Sequence, residues 1–342
     1  MVPKMSKLRF VLTLSLLGIT LAPPIRHVTY AASAQPLIAF SQEGLENSWR
    51  IVNTHDMLDS GKKAGFNMIW EQANADESRQ VAQVQDLLKR RPAVLVVEPA
   101  EQQAATPIEQ LATAAHVPLI VVDRSIGVSP PKGEYRQLIS IDWTQMGVDY
   151  GKVAVAYLTK KYGKPAGNIV EIAGVIGSSP ELGLDAGFHQ VIQKYPGIKI
   201  IANQDGQNAR APGLSIMEDY LTRYPAGKIQ LVWAQNDEMG LGALKAINAA
   251  GRTELFGAIL GKDVELQGLK EVVDGTFLAD CTVPPYYGHE VMPAVRAILA
   301  GKRIPSYIKS SFTCYTSLTP AARSKAKATY DYLTKNNIAY AH

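Results

Sequence analysis

Short apolar segments recur along this chain in two consecutive series, with helical stretches between them. Each segment is apolar throughout rather than at every second residue, which is typical of parallel strands covered by helices on both faces. The first series reads LIAFSQ, FNMIWEQ, AVLVVEP, PLIVVDR and LISID, and the second reads NIVEIAG, IKIIANQ, IQLVWAQ, FGAILGKD and FLADCTV. The pattern predicts an α/β fold in which a parallel sheet is built twice. The length of 342 residues agrees, because it exceeds one ordinary core and favours two lobes.

The first 34 residues have the features of a secretory signal peptide. Three basic residues precede an apolar run from Phe10 to Ala22, and small residues follow it. A membrane anchor is the alternative, but these thirteen apolar residues are too few to cross ~30 Å of hydrocarbon. We expect cleavage near Ala34–Gln35, or at Ala32, and a mature chain that is free in an exported compartment, most simply a bacterial periplasm.

Two cysteines, Cys281 and Cys314, lie in the strand-like runs FLADCTV and SSFTCYT. An oxidising compartment permits one disulfide between them if the two strands are neighbours, and two buried free thiols fit the sequence as well. Neither cysteine has the spacing of a redox motif or a metal site.

The charge pattern excludes one class of partner. The formal net charge is +4, with acids and bases interspersed, and no block of lysine or arginine is present that could follow a phosphate backbone. We therefore expect no nucleic-acid binding.

The common signatures of catalysis are absent from the sequence. GSSPE is not a Gly-x-Ser-x-Gly motif, no phosphate-binding Gly-x-x-x-x-Gly-Lys-Ser/Thr loop occurs, and the six histidines never fall at metal-ligand spacing. We therefore expect neither an enzyme nor a bound cofactor or metal. Carboxylates at strand ends could still form a glycosidase pair, which keeps a secreted hydrolase as an alternative.

Polar residues end the predicted strands of both series. In open α/β sheets the ligand lies outside the carboxyl ends of the strands, so these positions predict a cleft between the two lobes. They are Ser41, Gln42, Glu98, Asp123, Arg124, Asp142, Gln204, Gln235, Asn236, Asp237 and Asp263. Strand ends are also polar wherever they reach the surface, but a set that ends both series alike favours a shared cleft.

The segment FSQEGLENSWR places a tryptophan beside an arginine where the first strand gives way to a helix. A sugar presents hydroxyl groups around its rim and weakly apolar C–H faces. Carboxylates, amides and a guanidinium group suit the rim, and an indole ring suits the face. Trp49 could therefore cover a sugar ring while Arg50 binds its hydroxyls. Ordinary packing of Trp49 between helix and sheet is the alternative.

Several ordered motifs resemble one known family. FSQEGLENSWR, PLIVVDRSI, WAQNDEMGLGALKAI and GKDVELQGLKEVVDGTFLADCTV are similar to segments of the periplasmic sugar-binding proteins of bacterial ABC importers, in the ribose-binding and galactofuranose-binding branch. The resemblance extends from about Leu37 to beyond Thr316. It implies two Rossmann-like lobes with parallel sheets, joined by a three-crossing hinge that closes on a sugar. The predicted lobes are 35–141 plus about 283–311, and 142–282 plus about 312–342.

The resemblance also implies a set of ligand-binding residues. The first lobe would contribute Glu46 or Asn47, Trp49, Arg50, Asp123 and Arg124, and the second would contribute Asn208, Asn236 and Asp263, with Thr282 near a crossing and Asp142 and Trp143 at another. Trp143 stands where the family usually has asparagine.

Two departures from the family pattern bear on the ligand. In GLDAGF, Leu184 stands where the family has an arginine four residues before its phenylalanine, here Phe188. Asn208 replaces an aromatic residue that stacks on ribose. An unpaired buried polar group costs roughly 1–3 kcal/mol, so these changes alter which hydroxyl pattern can be satisfied and argue against both ribose and galactofuranose.

The resemblance implies a monomeric periplasmic receptor that captures a monosaccharide or related polyol and delivers it to an ABC transporter permease in the inner membrane. The alternatives are a sugar receptor that reports to a membrane signalling protein and, from another class, the secreted hydrolase. A repressor of the same fold would need a DNA-binding headpiece where this chain has a signal peptide.

Overall fold

The computed structural model describes residues 35–127 and 137–341. The predicted signal peptide lies outside these residues. The described chain forms two six-stranded sheets, each covered by helices. In the part that the structure describes, no helix is long and apolar enough to cross a membrane.

The first sheet has the strand order β11-β5-β4-β3-β1-β2, and all of its pairings are parallel. Its elements in chain order are β1 (Leu37–Gln42), α1 (Ser48–Lys63), β2 (Asn67–Gln72), α2 (Glu77–Lys89), β3 (Val94–Val97), α3 (Thr106–Ala114), β4 (Leu119–Val122) and β5 (Gln137–Ile141), with α9 (Gly288–Leu299) and β11 (Tyr307–Ser310) added late in the chain. Every residue of β3 and β4 is buried, as continuously apolar strands require.

The second sheet has the order β12-β10-β9-β8-β6-β7 and is parallel except for the edge pair β10 and β12. Its elements are α4 (Trp143–Tyr162), β6 (Gly167–Ala173), α5 (Ser179–Ile192), β7 (Ile198–Asp205), α6 (Arg210–Arg223), β8 (Leu231–Ala234), α7 (Asp237–Ala249), a 3-10 turn (Thr253–Leu255), β9 (Ile259–Leu260), α8 (Leu266–Asp274), β10 (Phe277–Cys281), β12 (Cys314–Thr316) and α10 (Pro320–Asn336). The predicted architecture, a parallel α/β sheet built twice, is confirmed.

The chain passes between the two sheets three times, after β5, after β10 and after β11. The three-crossing hinge is therefore present, while the residue boundaries predicted for the lobes stay a prediction. Cys281 of β10 is paired in register with Cys314 of β12, and the two form a disulfide beside the second and third crossings. The sequence allowed either a disulfide or two free thiols, and the structure contains the disulfide.

Candidate functional site

A cavity with an empty volume of about 420 Å³ lies at the carboxyl ends of the strands of the two sheets. Parallel strands bring the segments that follow them to one edge of each sheet, and these edges face each other. The cavity is lined by Asn47, Trp49, Arg50, Asp123 and Arg124 from the first lobe, by Gly174, Ser178, Pro180, Glu181, Leu184, Asn208, Gln235, Asn236, Lys262 and Asp263 from the second, and by Val283 of the second crossing.

Eight of the twelve predicted ligand-binding residues line this cavity. They are Asn47, Trp49, Arg50, Asp123, Arg124, Asn208, Asn236 and Asp263. The other four, Glu46, Asp142, Trp143 and Thr282, do not belong to its wall.

Asp142 and Trp143 stabilise the first crossing. The Asp142 carboxylate caps α4 by accepting a hydrogen bond from the backbone N–H of Gln145 at 2.9 Å, and it pairs with Lys309 Nζ at 2.7 Å. The indole of Trp143 is buried and donates to Ser140 Oγ at 3.1 Å. Both side chains are thus engaged by the chain itself.

Thr282 and Glu46 also lie outside the cavity wall. Thr282 is buried, and its hydroxyl oxygen accepts a hydrogen bond from the backbone N–H of Thr313 at 2.9 Å, which joins the second and third crossings. Glu46 lies just before the N-cap of α1, with 3.5 Å between its Oε1 and Arg50 Nε. Burial, together with the nearby Glu43 carboxylate, raises the pKa of Glu46.

Sequence reasoning missed several residues of the second lobe. Lys262 directly precedes Asp263, and only the backbone course decides that both side chains reach the cavity. Ser178 caps α5 by accepting from Glu181 N at 3.4 Å, and Glu181 Oε2 accepts from Gly177 N at 3.1 Å. This Ser-x-x-Glu capping pattern follows β6 after a short loop, and it is the signal that could have placed the start of α5 at the site.

Arg50 lies at the centre of a buried group of charges. Its Nε is 2.9 Å from Glu43 Oε1, its Nη1 contacts Glu98, and the same Nη1 is 3.6 Å from Asp123 Oδ2. Burial alone would lower the pKa of Arg50, but the surrounding carboxylates outweigh it and raise the pKa. The guanidinium is therefore held as a fixed cation at the cavity wall.

Arg124 shares the Glu43 carboxylate with Arg50. Its Nη2 is 3.0 Å from Glu43 Oε1, and its Nη1 donates to the carbonyl oxygen of Ala100 at 2.7 Å. Burial lowers the pKa of Arg124, and the Arg50 charge lowers it further. For Glu43, burial raises the pKa, but the two guanidinium groups outweigh this, so the net shift is downward. Glu43, which the sequence analysis did not single out, thus positions both arginines.

Asp123 and Asp263 present their carboxylates from opposite lobes in unusual backbone conformations. Asp123 follows β4 with φ of 58°, and Asp263 follows β9 with φ of 121°. Positive φ is costly for a residue with a Cβ atom and persists where the surrounding structure imposes it, often at functional sites. Tyr287 donates its hydroxyl to Asp123 Oδ1 at 3.2 Å.

Lys262 and Asp263 form an ion pair at the second-lobe side of the cavity, with 2.9 Å between Lys262 Nζ and Asp263 Oδ1. The ammonium also lies 5.4 Å from the centre of the Trp143 ring, in the range of a cation–π contact. Burial raises the pKa of Asp263 to about 6, although Lys262 opposes this shift.

The two lobes touch across the cavity. Gln102 N donates to Gly177 O at 2.9 Å, and Ser125 N donates to Ser179 Oγ at 2.8 Å. On the other side, Asn47 Nδ2 donates to Asn208 O at 3.1 Å. The cleft is therefore in a closed arrangement, with hydrogen bonds on either side of the cavity.

The cavity wall combines planar hydrogen-bonding groups with one indole ring. Guanidinium and ammonium groups donate, carboxylates accept, and the amides of Asn47, Gln235 and Asn236 can do both. Within residues 35–127 and 137–341, no cluster of three or more histidine, cysteine, aspartate or glutamate side chains has the geometry of a metal site. The wall is suited to a small molecule that carries several hydroxyl groups.

Comparison with known proteins gives a consistent result. Residues 38–303 match the family model described as a periplasmic binding protein domain. The ribose import binding protein of Escherichia coli (strain K12) is 30% identical over 278 residues, which cover 81% of this chain and 89% of that protein. The galactofuranose-binding protein of the same organism is 31% identical, over 64% of this chain and 68% of that protein.

A solved structure extends the similarity to the fold. The periplasmic binding protein component of the arabinose ABC transporter from Shewanella sp. ANA-3, bound to alpha and beta-L-arabinofuranose, superposes with a TM-score of 0.77 at 27% identity. The match covers 90% of this chain and 99% of that one.

Proposed function

This chain belongs to the family of periplasmic binding protein domains, and from that premise we propose that it is a receptor that captures a monosaccharide or a related polyol for an ABC importer. The observation that carries the proposal is the closed cavity, in which Asp123 and Asp263 from opposite lobes face a shared space beside Trp49 and Arg50. Relatives with this fold bind ribose, galactofuranose and arabinofuranose, as their names and titles state.

The enclosure of the cavity supports a single small ligand. Hydrogen bonds between the lobes lie on either side of the cavity, and they limit the space for further sugar units.

The charges of the wall support a neutral ligand. The three acidic side chains of the wall, Asp123, Glu181 and Asp263, are matched by three basic ones, Arg50, Arg124 and Lys262. The basic groups are already paired with carboxylates of the chain, as in the contacts of Arg124 with Glu43 and of Lys262 with Asp263. A sugar phosphate or a sugar acid would have to compete with these buried carboxylates, whereas hydroxyl groups can bind both partners of each pair.

We extend the proposal to the cellular context. The signal-peptide pattern at residues 1–34 supports export to the periplasm, and the relatives named as import binding proteins support delivery to an inner-membrane permease. We further propose that the mature chain is a monomer that binds its ligand without chemical change. The eight predicted residues that line the cavity, together with Lys262, Glu181 and Gln235, are proposed to contact the ligand.

The test is a thermal-shift screen of the mature protein against pentoses, hexoses, polyols and their phosphates, followed by calorimetric titration. A ligand specific for the native state raises the unfolding free energy by RT ln(1 + [L]/Kd), about 2.7 kcal/mol at a hundredfold excess over Kd, so a true ligand stands out. A neutral sugar or polyol should bind, and its phosphate should not.

Two further measurements separate binding from its rivals. Small-angle scattering should give a smaller radius of gyration with ligand than without it, since closure brings the lobes together. Chromatography should recover the sugar unchanged after incubation, and a hydrolysed product would favour the hydrolase instead. If no sugar or polyol shifts the unfolding temperature, the proposed function is wrong.

A further inference from the structure

Behind the ligand cavity, two aspartates of the second lobe bury their carboxyl groups side by side. Asp237 is the first residue of α7 and Asp280 belongs to β10, and both side chains are fully buried. The two carboxyl groups lie close enough to interact, and the Asp280 charge raises the pKa of Asp237. A Cβ atom at Gly261 or at Gly268 would overlap the Asp237 carboxyl group, so these glycines provide the space that it occupies.

Each carboxyl group also holds one backbone N–H of the segment that carries Asp263. Asp280 Oδ1 accepts from Val264 N at 3.0 Å, and Asp237 Oδ2 accepts from Glu265 N at 2.9 Å. This segment is strained, because Asp263 and Val264 both have positive φ, at 121° and 52°. The two aspartates therefore hold the turn that directs the Asp263 side chain into the cavity.

The remaining oxygen of each carboxyl group has no donor. Asp237 Oδ1 and Asp280 Oδ2 are buried, and the described residues supply no hydrogen-bond partner to either atom when both groups are ionised. Two buried carboxylates in contact repel each other, and a cation or a shared proton is needed to relieve the repulsion.

The charged and titratable groups around the pair offer no relief. Asp263 and Glu265 add negative charge from the turn, and Tyr150 of α4 faces both aspartates. Lys262, the basic residue directly before the turn, directs its ammonium to Asp263. Burial and the neighbouring carboxylates raise the pKa of Asp237 well above its usual range, and burial does the same for Asp280.

We propose that Asp237 and Asp280 share one proton and act as a positioning pair, which fixes the turn of residues 263–265 and thereby presents the Asp263 carboxylate to the ligand. One proton between Asp237 Oδ1 and Asp280 Oδ2 gives both orphan oxygens a partner. The part that concerns the ligand rests on the proposed sugar-binding function, whereas the shared proton does not.

The shared proton is tested on the unliganded protein. The unfolded chain releases this proton near the usual aspartate pKa of ~3.9, while the folded protein keeps it to higher pH. Stability supplied by the proton is therefore present at low pH and is lost as pH rises toward the pKa of the folded pair. In Asp280→Asn, the amide accepts from Val264 N and donates to Asp237, so no proton is required.

Chemical denaturation of wild type, Asp280→Asn and the exposed control Asp219→Asn should be followed from pH 4.5 to pH 8.5. Relative to Asp280→Asn, the folding equilibrium constant of wild type should fall about tenfold per pH unit while the folded protein binds one extra proton. Asp219→Asn should run parallel to wild type. A constant offset between wild type and Asp280→Asn over the whole range overturns the shared proton.

The positioning role is tested by calorimetric titration with D-ribose, L-arabinose, D-fructose and xylitol as probes. For the probe that binds wild type, Asp280→Ala should raise Kd at least tenfold, because Val264 N loses its acceptor and the turn relaxes. Asp280→Asn should restore binding to within threefold, a rescue that mere loss of packing would not give. Equal binding by Asp280→Ala and wild type overturns the positioning role. If wild type binds none of these probes, the sugar or polyol found in the thermal-shift screen replaces them. If that screen finds no ligand either, the proposed function is wrong, and the denaturation series still decides the shared proton.

Discussion

The indole Nε1 of Trp49 donates a hydrogen bond to the carbonyl oxygen of Val283, with 2.6 Å between the two atoms. Trp49 lies in the first turn of α1, Val283 belongs to the second crossing, and both line the cavity. The Arg50 guanidinium lies over the same indole, 4.8 Å from its centre. One side chain thus joins the cavity wall of the first lobe to the hinge.

Replacement of Trp49 separates its two roles. Trp49→Ala removes the ring face and the hydrogen bond, and we expect the Kd of the screened sugar to rise by tenfold or more, since ~1.4 kcal/mol corresponds to tenfold. Trp49→Phe keeps a ring but loses the N–H donor, and its loss of affinity should be smaller. Calorimetric titration of the folded variants measures these changes in Kd. A Kd of Trp49→Ala within twofold of the wild-type value would place the ligand elsewhere.

Removal of Arg50 should affect stability as well as binding. In Arg50→Ala the buried carboxylates of Glu43 and Glu98 lose a shared cation, and breaking such a pair costs about 3–5 kcal/mol. We expect denaturant titration to show a decrease of this size in the unfolding free energy. The matched control is Arg223→Ala, because Arg223 forms an exposed pair with Asp219 and should cost less than about 1 kcal/mol. Equal effects of the two substitutions would contradict the central role of Arg50.

Ligand affinity should depend on pH through Asp263. Burial raises the pKa of this carboxyl to about 6, so the folded protein holds its proton more tightly than the unfolded chain does. Its contribution to stability is therefore greatest at low pH and falls as pH rises from about 4 to about 6. Ligand affinity depends on pH in the opposite sense and increases as pH rises, because an ionised carboxylate accepts hydrogen bonds from hydroxyl groups.

The expected size of the change in Kd follows from the pKa of Asp263. If only the ionised form binds, the Kd at pH 5 should be about tenfold higher than at pH 7, since one pH unit below the pKa leaves roughly a tenth of the sites ionised. Asp263→Asn should bind more weakly but with little change over the same range. Calorimetry at both pH values checks this, and a wild-type Kd that is constant between them would speak against Asp263 as an acceptor.

Leu184 should tolerate only apolar replacement. Its side chain is buried at the cavity wall, so Leu184→Met, which conserves volume, should bind and fold like wild type. Leu184→Arg replaces a buried apolar side chain by a charged one, which should lower stability. It should not create ribose affinity, because Asn208 leaves the stacking ring missing. Thermal unfolding and ribose titration test both variants. Tight ribose binding by Leu184→Arg would contradict the argument from Asn208.

The disulfide should stabilise the region of the crossings. Cys281 and Cys314 are 33 residues apart. Closing a loop of that length lowers the entropy of the unfolded chain, which raises the unfolding free energy by ~3–4 kcal/mol. The double substitution to serine should lower the unfolding free energy by about this amount. Alkylation under denaturing, non-reducing conditions should label no thiol in wild type, and two labelled thiols per chain would show that the bridge does not form.

Local patterns determined much of the fold. All ten apolar runs of the sequence analysis are strands in the structure. The inner strands are apolar because helices cover both of their faces, whereas the edge strands β2 and β7 are partly exposed. The two strands that were not in either series, β11 and β12, are short edge strands. One face of an edge strand meets solvent, so its composition is mixed; SSFTCYT indicated β12 through Cys314, and YIKS carried no comparable signal.

The sequence by itself determined which residues stand at the ends of the strands, and hence that Asp123, Arg124, Asn236 and Asp263 would gather at one cleft. Only the tertiary structure decided which side chains at those ends face the cavity. Asp142 turns to cap α4, whereas Lys262, one residue before Asp263, lines the wall. The direction depends on positive-φ turns and on partners far away in sequence, such as Asp280 for the turn at Val264 and Glu43 for Arg124. These contacts form only when each lobe is folded, and the periodicity of strands and helices does not encode them.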